Sequence, residues 1–230
     1  MTEQPFHSDP AGLDPFTPEG RHIVVVSAGL SKPSSTRMLA DRLTEAATSE
    51  LANLGVVPHL HQLELRELSG DIADSLLAPH RSEALAEALA QVEQADGIIA
   101  ATPTFKASYS GLFKSFWDLV DDEAIVNTPV LLGATGGTQR HSLMIEHSLF
   151  PLFAYLRAKI IPTAVFAASD DWGEVDGAAE STRTTSLEQR VQDAGRDLAE
   201  VVARLPAKRR AANDEPLEVV PFAKLLRGQG

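Results

Sequence analysis

Apolar residues in this chain gather in two kinds of pattern. Short continuous runs stand at residues 22–26 (HIVVV), 97–101 (GIIAA), 129–133 (PVLLG) and 160–167, with a more broken one at 56–63. Between the runs, apolar residues recur every three or four positions. Leu39, Leu43, Ala46, Ala47, Leu51 and Leu54 share one helical face that opens near Thr36, and Gly55 supplies a stop. Leu85, Ala88, Leu89 and Val92 form a second face behind a capping Ser82; Leu112, Phe113, Phe116, Leu119 and Val120 form a third behind Ser108 or Ser110. Residues 141–156 predict a helix interrupted or bent near Pro151, and residues 181–205 a long amphipathic one. Residues 64–79 are polar and irregular, a surface excursion with room for a short helix.

Runs that are apolar on both faces belong inside a parallel sheet. Five strands alternate with five helices, and the connections are too short to hold a second domain. The pattern therefore predicts an α/β flavodoxin-like three-layer sandwich over residues 22–205, with a five-stranded parallel sheet of order 2-1-3-4-5. The third strand is expected to break at Thr102-Pro103-Thr104, since Pro103 fixes its own φ and restricts Thr102. Residues 1–21, with Pro5, Pro10, Pro15 and Pro18 among acidic residues, read as a flexible N-terminal arm. Residues 206–230 form a C-terminal tail that passes from Lys208-Arg209-Arg210 to an apolar segment around Val219-Val220-Pro221-Phe222.

Composition narrows the partners. The formal net charge of −12 over 230 residues argues against a role on nucleic acid or an anionic membrane surface. Cysteine is absent, so disulfides, thiolate metal sites and cysteine nucleophiles are excluded. No apolar run reaches the roughly 18 residues a membrane helix needs, and residues 1–21 lack the basic start and apolar core of a secretory signal. A cytoplasmic location is the expectation.

In a parallel sheet the loops after strands one, three and four open at one edge, where open α/β sheets bind ligands. The first, residues 27–37, carries Ser31, Ser34, Ser35 and Thr36 beside Lys32 and Arg37, and enters a helix whose N-terminus suits a phosphate. The same serines would serve equally as ordinary helix caps. The second loop offers Thr104, Phe105, Lys106 and Tyr109. In the third, Gly136 and Gly137 between Thr135 and Thr138 let a flat ligand approach the backbone. A phosphate site, an aromatic wall and a Gly-rich wall together describe a site for a planar nucleotide such as FMN.

At these loops the sequence resembles the NADPH-dependent FMN reductases, on the segments GLSKPSSTR, TPTFKASYSGLFKSFWD and GATGGTQRH. The resemblance runs from about residue 22 to residue 173. It is nearest to the subset that supplies reduced flavin to two-component monooxygenases, in an actinobacterial-type branch thought to partner luciferase-like enzymes. It implies phosphate-loop positions at Ser31, Ser34, Ser35, Thr36 and Arg37, and a loop beside the ribityl chain and ring at Pro103, Thr104, Phe105 and Lys106. It places Thr135, Gly136, Gly137 and Thr138 at the pyrimidine side. Leu30 and Phe105 depart from the family pattern, which has a hydroxyl and a Tyr there. The resemblance further implies FMN with NADPH or NADH as cofactors, a homodimer or homotetramer, and a transient FMNH2-dependent monooxygenase partner. It places Tyr109 in a π-bulge at a subunit interface, next to an aromatic face of Phe113, Phe116 and Trp117.

The implied chemistry needs no side-chain acid or base, so no catalytic residue is assigned. Lys32, Arg37, Lys106 and Arg140 are candidates for the phosphates of the nicotinamide cofactor. A GxGxxG dinucleotide loop and a GxSxG nucleophile elbow are both missing from the sequence. His59 with His61, and Glu146 with His147, form no metal motif. A quinone or azo-dye reductase and a non-catalytic FMN-binding electron carrier remain open on the same fold.

Overall fold

Each continuous apolar run forms a strand whose two faces meet different helices. The computed structural model describes residues 20–78, 80–172 and 185–208. Its strands are β1 (Gly20–Ser27), β2 (Val57–Glu64), β3 (Gly97–Phe105), β4 (Ser108–Tyr109), β5 (Pro129–Gly136), β6 (Lys159–Ile160) and β7 (Val165–Ala168). The helices are α1 (Ser35–Asn53), α2 (Ser69–Leu77), α3 (Glu83–Glu93), α4 (Gly111–Trp117), α5 (Phe150–Tyr155) and α6 (Leu187–Arg204). Successive side chains of β1 alternate between two cores. Val24 and Val26 pack with residues of α2 to α5; Ile23 and Val25 pack with α1 and α6. This is the expected three-layer sandwich. No helix among the described residues is long and apolar enough to cross a membrane.

The main path of the sheet runs β2-β1-β3-β5-β6, all parallel, which is the expected order 2-1-3-4-5. The strand count differs: among the described residues there are seven rather than five. The expected fifth strand is split. β6 pairs with the start of β5 at Pro129↔Lys159 and β7 with its end at Gly133↔Val165. Pro162 lies in the gap, where Ala164 N–H donates to its carbonyl.

The other addition is β4. The third strand does not stop before Pro103 but continues to Phe105, with Pro103 in register with Thr135 of β5. The pairing of β1 with β3 ends at Ser27↔Ala101, so Pro103 lies where β3 has lost that neighbour and needs no donor on that side. Lys106 and Ala107, at φ +50° and +64°, then turn the chain back so that Thr104 faces Tyr109 and Phe105 faces Ser108. Two consecutive residues at positive φ make the tight turn that matches strand twist.

Tyr109 is therefore a strand residue, not part of a π-bulge. The π-turn is elsewhere, at Ile145–Leu149, where Phe150 N–H reaches back to Ile145 O. It ends two residues before Pro151, which cannot donate to an ordinary helical bond. The expected single helix over 141–156 is thus divided. The aromatic face is also corrected. Phe113, Phe116 and Trp117 are almost wholly buried, and Trp117 meets Phe153 edge-on with ring centres 4.8 Å apart. They are core, filled from a helix far along the chain. The arm and most of the tail, including Val219-Val220-Pro221-Phe222, lie outside the described residues. Arg21 and Lys208 belong to the folded body: Arg21 is buried, and Lys208 N–H donates to Asp96 Oδ1 at 2.7 Å.

Candidate functional site

The three loops open together at the carboxyl edge of the sheet. In the first, Ser34 caps α1: its Oγ accepts Arg37 N–H at 3.2 Å, which satisfies one of the free donors of the first turn. Thr36 turns inward, is 1% exposed and shares a 2.7 Å hydrogen bond with Thr135 Oγ1 of the third loop. Arg37 folds away along the surface. Its guanidinium binds Asp41 at 2.7 Å, Gln62 at 2.6 Å and the carboxylate of Glu64, and Asp41, then Glu64, hold its proton more tightly still. Ser31 and Ser35 remain exposed, with Lys32 between them in sequence. Of the five expected phosphate-loop side chains, two therefore face solvent at the helix entrance, and three hold the loop and helix in place.

The second loop is the β3–β4 hairpin. Pro103 and Thr104 are half-buried, whereas Phe105 and Lys106 stand out into solvent at its tip. Thr102, buried beneath them, accepts Ser110 N–H at 3.1 Å and so ties the hairpin to the start of α4. The third loop continues from β5. Gly136 and Gly137 lack side chains for different reasons. A Cβ on Gly136 would stand 2.7 Å from Phe166 Cζ, within the protein, whereas a Cβ on Gly137 would meet nothing within 4 Å. Gly137 and Thr138 are exposed, so only at Gly137 would the absent side chain leave room on the open side.

Residues that sequence reasoning missed hold these loops. Glu64, at the end of β2, binds Arg37 and also Arg66, whose Nη1 donates to Ser31 O at 2.8 Å. Asp171 accepts from Gln139, Ala168 and Arg190, each at 2.8 Å. A place at or just beyond a strand end is their only sequence signal, since Arg37, Gln139 and Arg190, the partners that tie them to other elements, are distant in the chain.

The donor set fits a planar phosphorylated ligand. Thr104 Oγ1 and Ser27 Oγ are buried without a hydrogen-bond partner. Both are at this edge, and Thr104 Oγ1 lies 3.5 Å from where a Cβ of Gly136 would stand. A buried hydroxyl left unpaired is costly, and a polar ligand bound at this edge would satisfy it. Lys32, Lys106 and Arg140 are exposed around the opening. Apart from the loops, a cleft of about 530 Å³ lies between α4 and α5, lined among others by Tyr109, Lys114, Trp117, His147, Leu152 and Tyr155.

Residues 21–173 match the model of a family described as NADPH-dependent FMN reductase. The NADH-dependent FMN reductase SfnE of Pseudomonas putida is 40% identical over 165 residues, 70% of this chain and 86% of that protein. An FMN reductase (NADPH) of Pseudomonas aeruginosa is 36% identical over 150 residues, 65% of this chain and 78% of its own. Among solved structures, an oxidoreductase from Corynebacterium diphtheriae superimposes with a TM-score of 0.75 at 37% identity, covering 82% of this chain and 100% of that one. The chain belongs to the NADPH-dependent FMN reductase family, oxidoreductases that use FMN and NAD(P)H.

Proposed function

We propose that the protein reduces FMN at the three-loop edge and releases it, reduced, to an FMNH2-dependent monooxygenase. The observation that carries the reading is the set of three walls at one edge, with two unpaired buried hydroxyls beneath them. Ser31 and Ser35, with the free amides of the first turn of α1, receive the phosphate. Pro103, Thr104 and the exposed ring of Phe105 border the ribityl chain and one side of the ring system. Thr135 braces the floor through Thr36, and Gly136, Gly137 and Thr138 border the pyrimidine side. Lys32, Lys106 and Arg140 attract the phosphates of NAD(P)H, while Arg37 holds the first loop rather than the ligand.

The bound nicotinamide and flavin would supply the hydride-transfer chemistry. The chain's own part is to hold two flat rings in contact, to exclude water between them and to set backbone donors near the pyrimidine oxygens. The assembly proposed is a homodimer or homotetramer, with Tyr109 and Tyr155 of the α4–α5 cleft near the contact. Tyr155 is 72% exposed there and sets an aromatic ring on the rim of the cleft.

Steady-state kinetics on flavin-stripped protein, with NADPH, NADH and free FMN varied, test the reading. Turnover that saturates in free FMN is expected. Activity only with retained flavin and added quinone would replace it with a quinone reductase, and no turnover with a carrier.

A further inference from the structure

Asp171 stands behind the third loop, and the flavin reading gives it no role. We propose that it is a positioning residue, whose buried carboxylate sets the backbone of Gly137 and Thr138 against the bound flavin. The proposal rests on the flavin site proposed above.

The geometry is convergent. One oxygen, Oδ2, accepts both Ala168 N–H and Gln139 Nε2–H at 2.8 Å. The other, Oδ1, accepts Arg190 Nη2–H at 2.8 Å, and Arg190 Nη1–H continues to Phe166 O at 2.5 Å. The Asp171 side chain is 6% exposed and that of Arg190 20%. These partners lie at the base of the loop. Ala168 is the register partner of Gly136, and the ring of Phe166 fills the space where a Gly136 side chain would be. Gln139 lies three residues beyond Gly136. The loop is therefore anchored at both ends through one carboxylate oxygen, and only Gly137 and Thr138, both exposed, lie between the anchors.

A carboxylate is the side chain this arrangement calls for. The N–H groups of Ala168, Gln139 and Arg190 meet it, and an ionised carboxyl is an acceptor only. An amide in its place would turn an NH2 toward at least one donor. Arg190 supplies the opposite charge that a buried carboxylate needs. Backbone donors held in place before the ligand arrives need no reorganisation when it binds, which is the condition for stabilising charge on a ring. A simple staple of α6 to the sheet would use Arg190 and the end of β7 alone. The bond to Gln139 goes beyond that, because Gln139 belongs to the loop.

The test separates the staple from the anchor. Gln139→Ala keeps the Asp171–Arg190 pair and the bond to Ala168 and removes the loop's hold on Asp171. Asp171→Asn perturbs all three. FMN and riboflavin affinities are measured by fluorescence titration on flavin-stripped full-length protein, with thermal midpoints and the visible circular dichroism of bound flavin. Gln139→Ala is expected to weaken both flavins alike, by about ten-fold, as for one lost hydrogen bond to a charged group. The loss should be equal because the anchor serves the ring end, not the phosphate. The thermal midpoint should stay unchanged, and the dichroism of the bound ring should shift. Asp171→Asn should weaken both flavins further and lower the midpoint. Wild-type affinity and dichroism in Gln139→Ala would overturn the positioning role while leaving the flavin site standing. Loss of FMN affinity with riboflavin affinity intact would also overturn it. A wild type that binds neither flavin would remove the site and the inference together.

Discussion

Thr36 Oγ1 and Thr135 Oγ1, 99 residues apart in sequence, lie 2.7 Å from each other and are both buried. The bond joins the helix entrance of the first loop to the end of the strand that feeds the third. Replacing either Thr by Val leaves the other hydroxyl buried and unpaired, which costs about 1–3 kcal/mol. Replacing both removes the orphan, so the double variant should be more stable than the sum of the single losses. Urea unfolding of the four proteins gives the coupling, and strict additivity would show that the two hydroxyls do not depend on each other.

The serines of the first loop should separate by role. Ser34→Ala removes a helix cap and should lower stability by ~1 kcal/mol. Ser31→Ala with Ser35→Ala should leave stability almost unchanged and weaken FMN binding, with riboflavin binding much less affected. Fluorescence titration with the two ligands decides it; equal losses would place the phosphate away from this helix entrance.

The two glycines of the third loop should likewise differ. Gly136→Ala drives a methyl group to within 2.7 Å of the Phe166 ring and should destabilise the fold by about 1–3 kcal/mol through overpacking. Gly137→Val has space in the protein and should keep a native circular dichroism spectrum while losing FMN. Normal FMN affinity in Gly137→Val would put the ring system on another surface.

Much of this architecture is written in local pattern. β1, β3 and β5 are legible because burial on both faces demands continuous apolar runs, and Ser82 and Ser110 announce α3 and α4 by capping them. β2 is harder to see, because most of its residues are exposed or half-exposed on an edge. The hairpin at Lys106–Ala107 escapes notice because neither residue is the Gly or Asn that such a turn favours. At the site, the row of hydroxyls was visible but its division of labour was not. Whether Thr36 meets a ligand or Thr135, and whether Arg37 meets a phosphate or Glu64, depends on residues brought close only by the fold. The same holds for Phe113, Phe116 and Trp117, whose partner Phe153 lies on α5.

Assembly should respond to the cleft between α4 and α5. Tyr155→Asp places a charge on an exposed ring position and should shift the protein toward smaller species without unfolding it. Tyr109→Ala should act in the same direction, with some loss of packing against Phe113, whose ring centre is 6.0 Å away. Light scattering reads both; a monomeric wild type, or unchanged mass in both variants, would remove the interface from this cleft.

Lys208 makes a pH-dependent contribution. Its Nζ donates to Glu93 O at 2.7 Å and Ala124 O at 2.9 Å, and burial lowers its pKa against the pull of Asp96 and Glu93. The unfolded chain keeps that proton up to the ordinary lysine value of 10.5, so between the lowered folded value and 10.5 the unfolded state binds more protons. Stability from this group should therefore rise with pH across that window. The difference in unfolding free energy between wild type and Lys208→Met should grow toward pH 10.5, and a flat difference would contradict it.

A strand that is apolar on both faces carries a hazard for fidelity of folding. Sliding β1 by one residue would exchange Val24 and Val26 with Ile23 and Val25 between the two cores, and every exchanged side chain would still be aliphatic. Hydrophobicity alone therefore discriminates weakly between the native pairing and its nearest error. The discrimination falls to the polar ends of the strand: His22 N–H donates to Asp96 Oδ2 at 2.8 Å, Asp96 N–H donates back to His22 O, and Ala28 N–H closes on Ala101 O. Asp96, buried and distant from the ligand edge, thus acts as a proofreading contact for the central strand, and its loss should appear as misfolded material before it appears as lost activity.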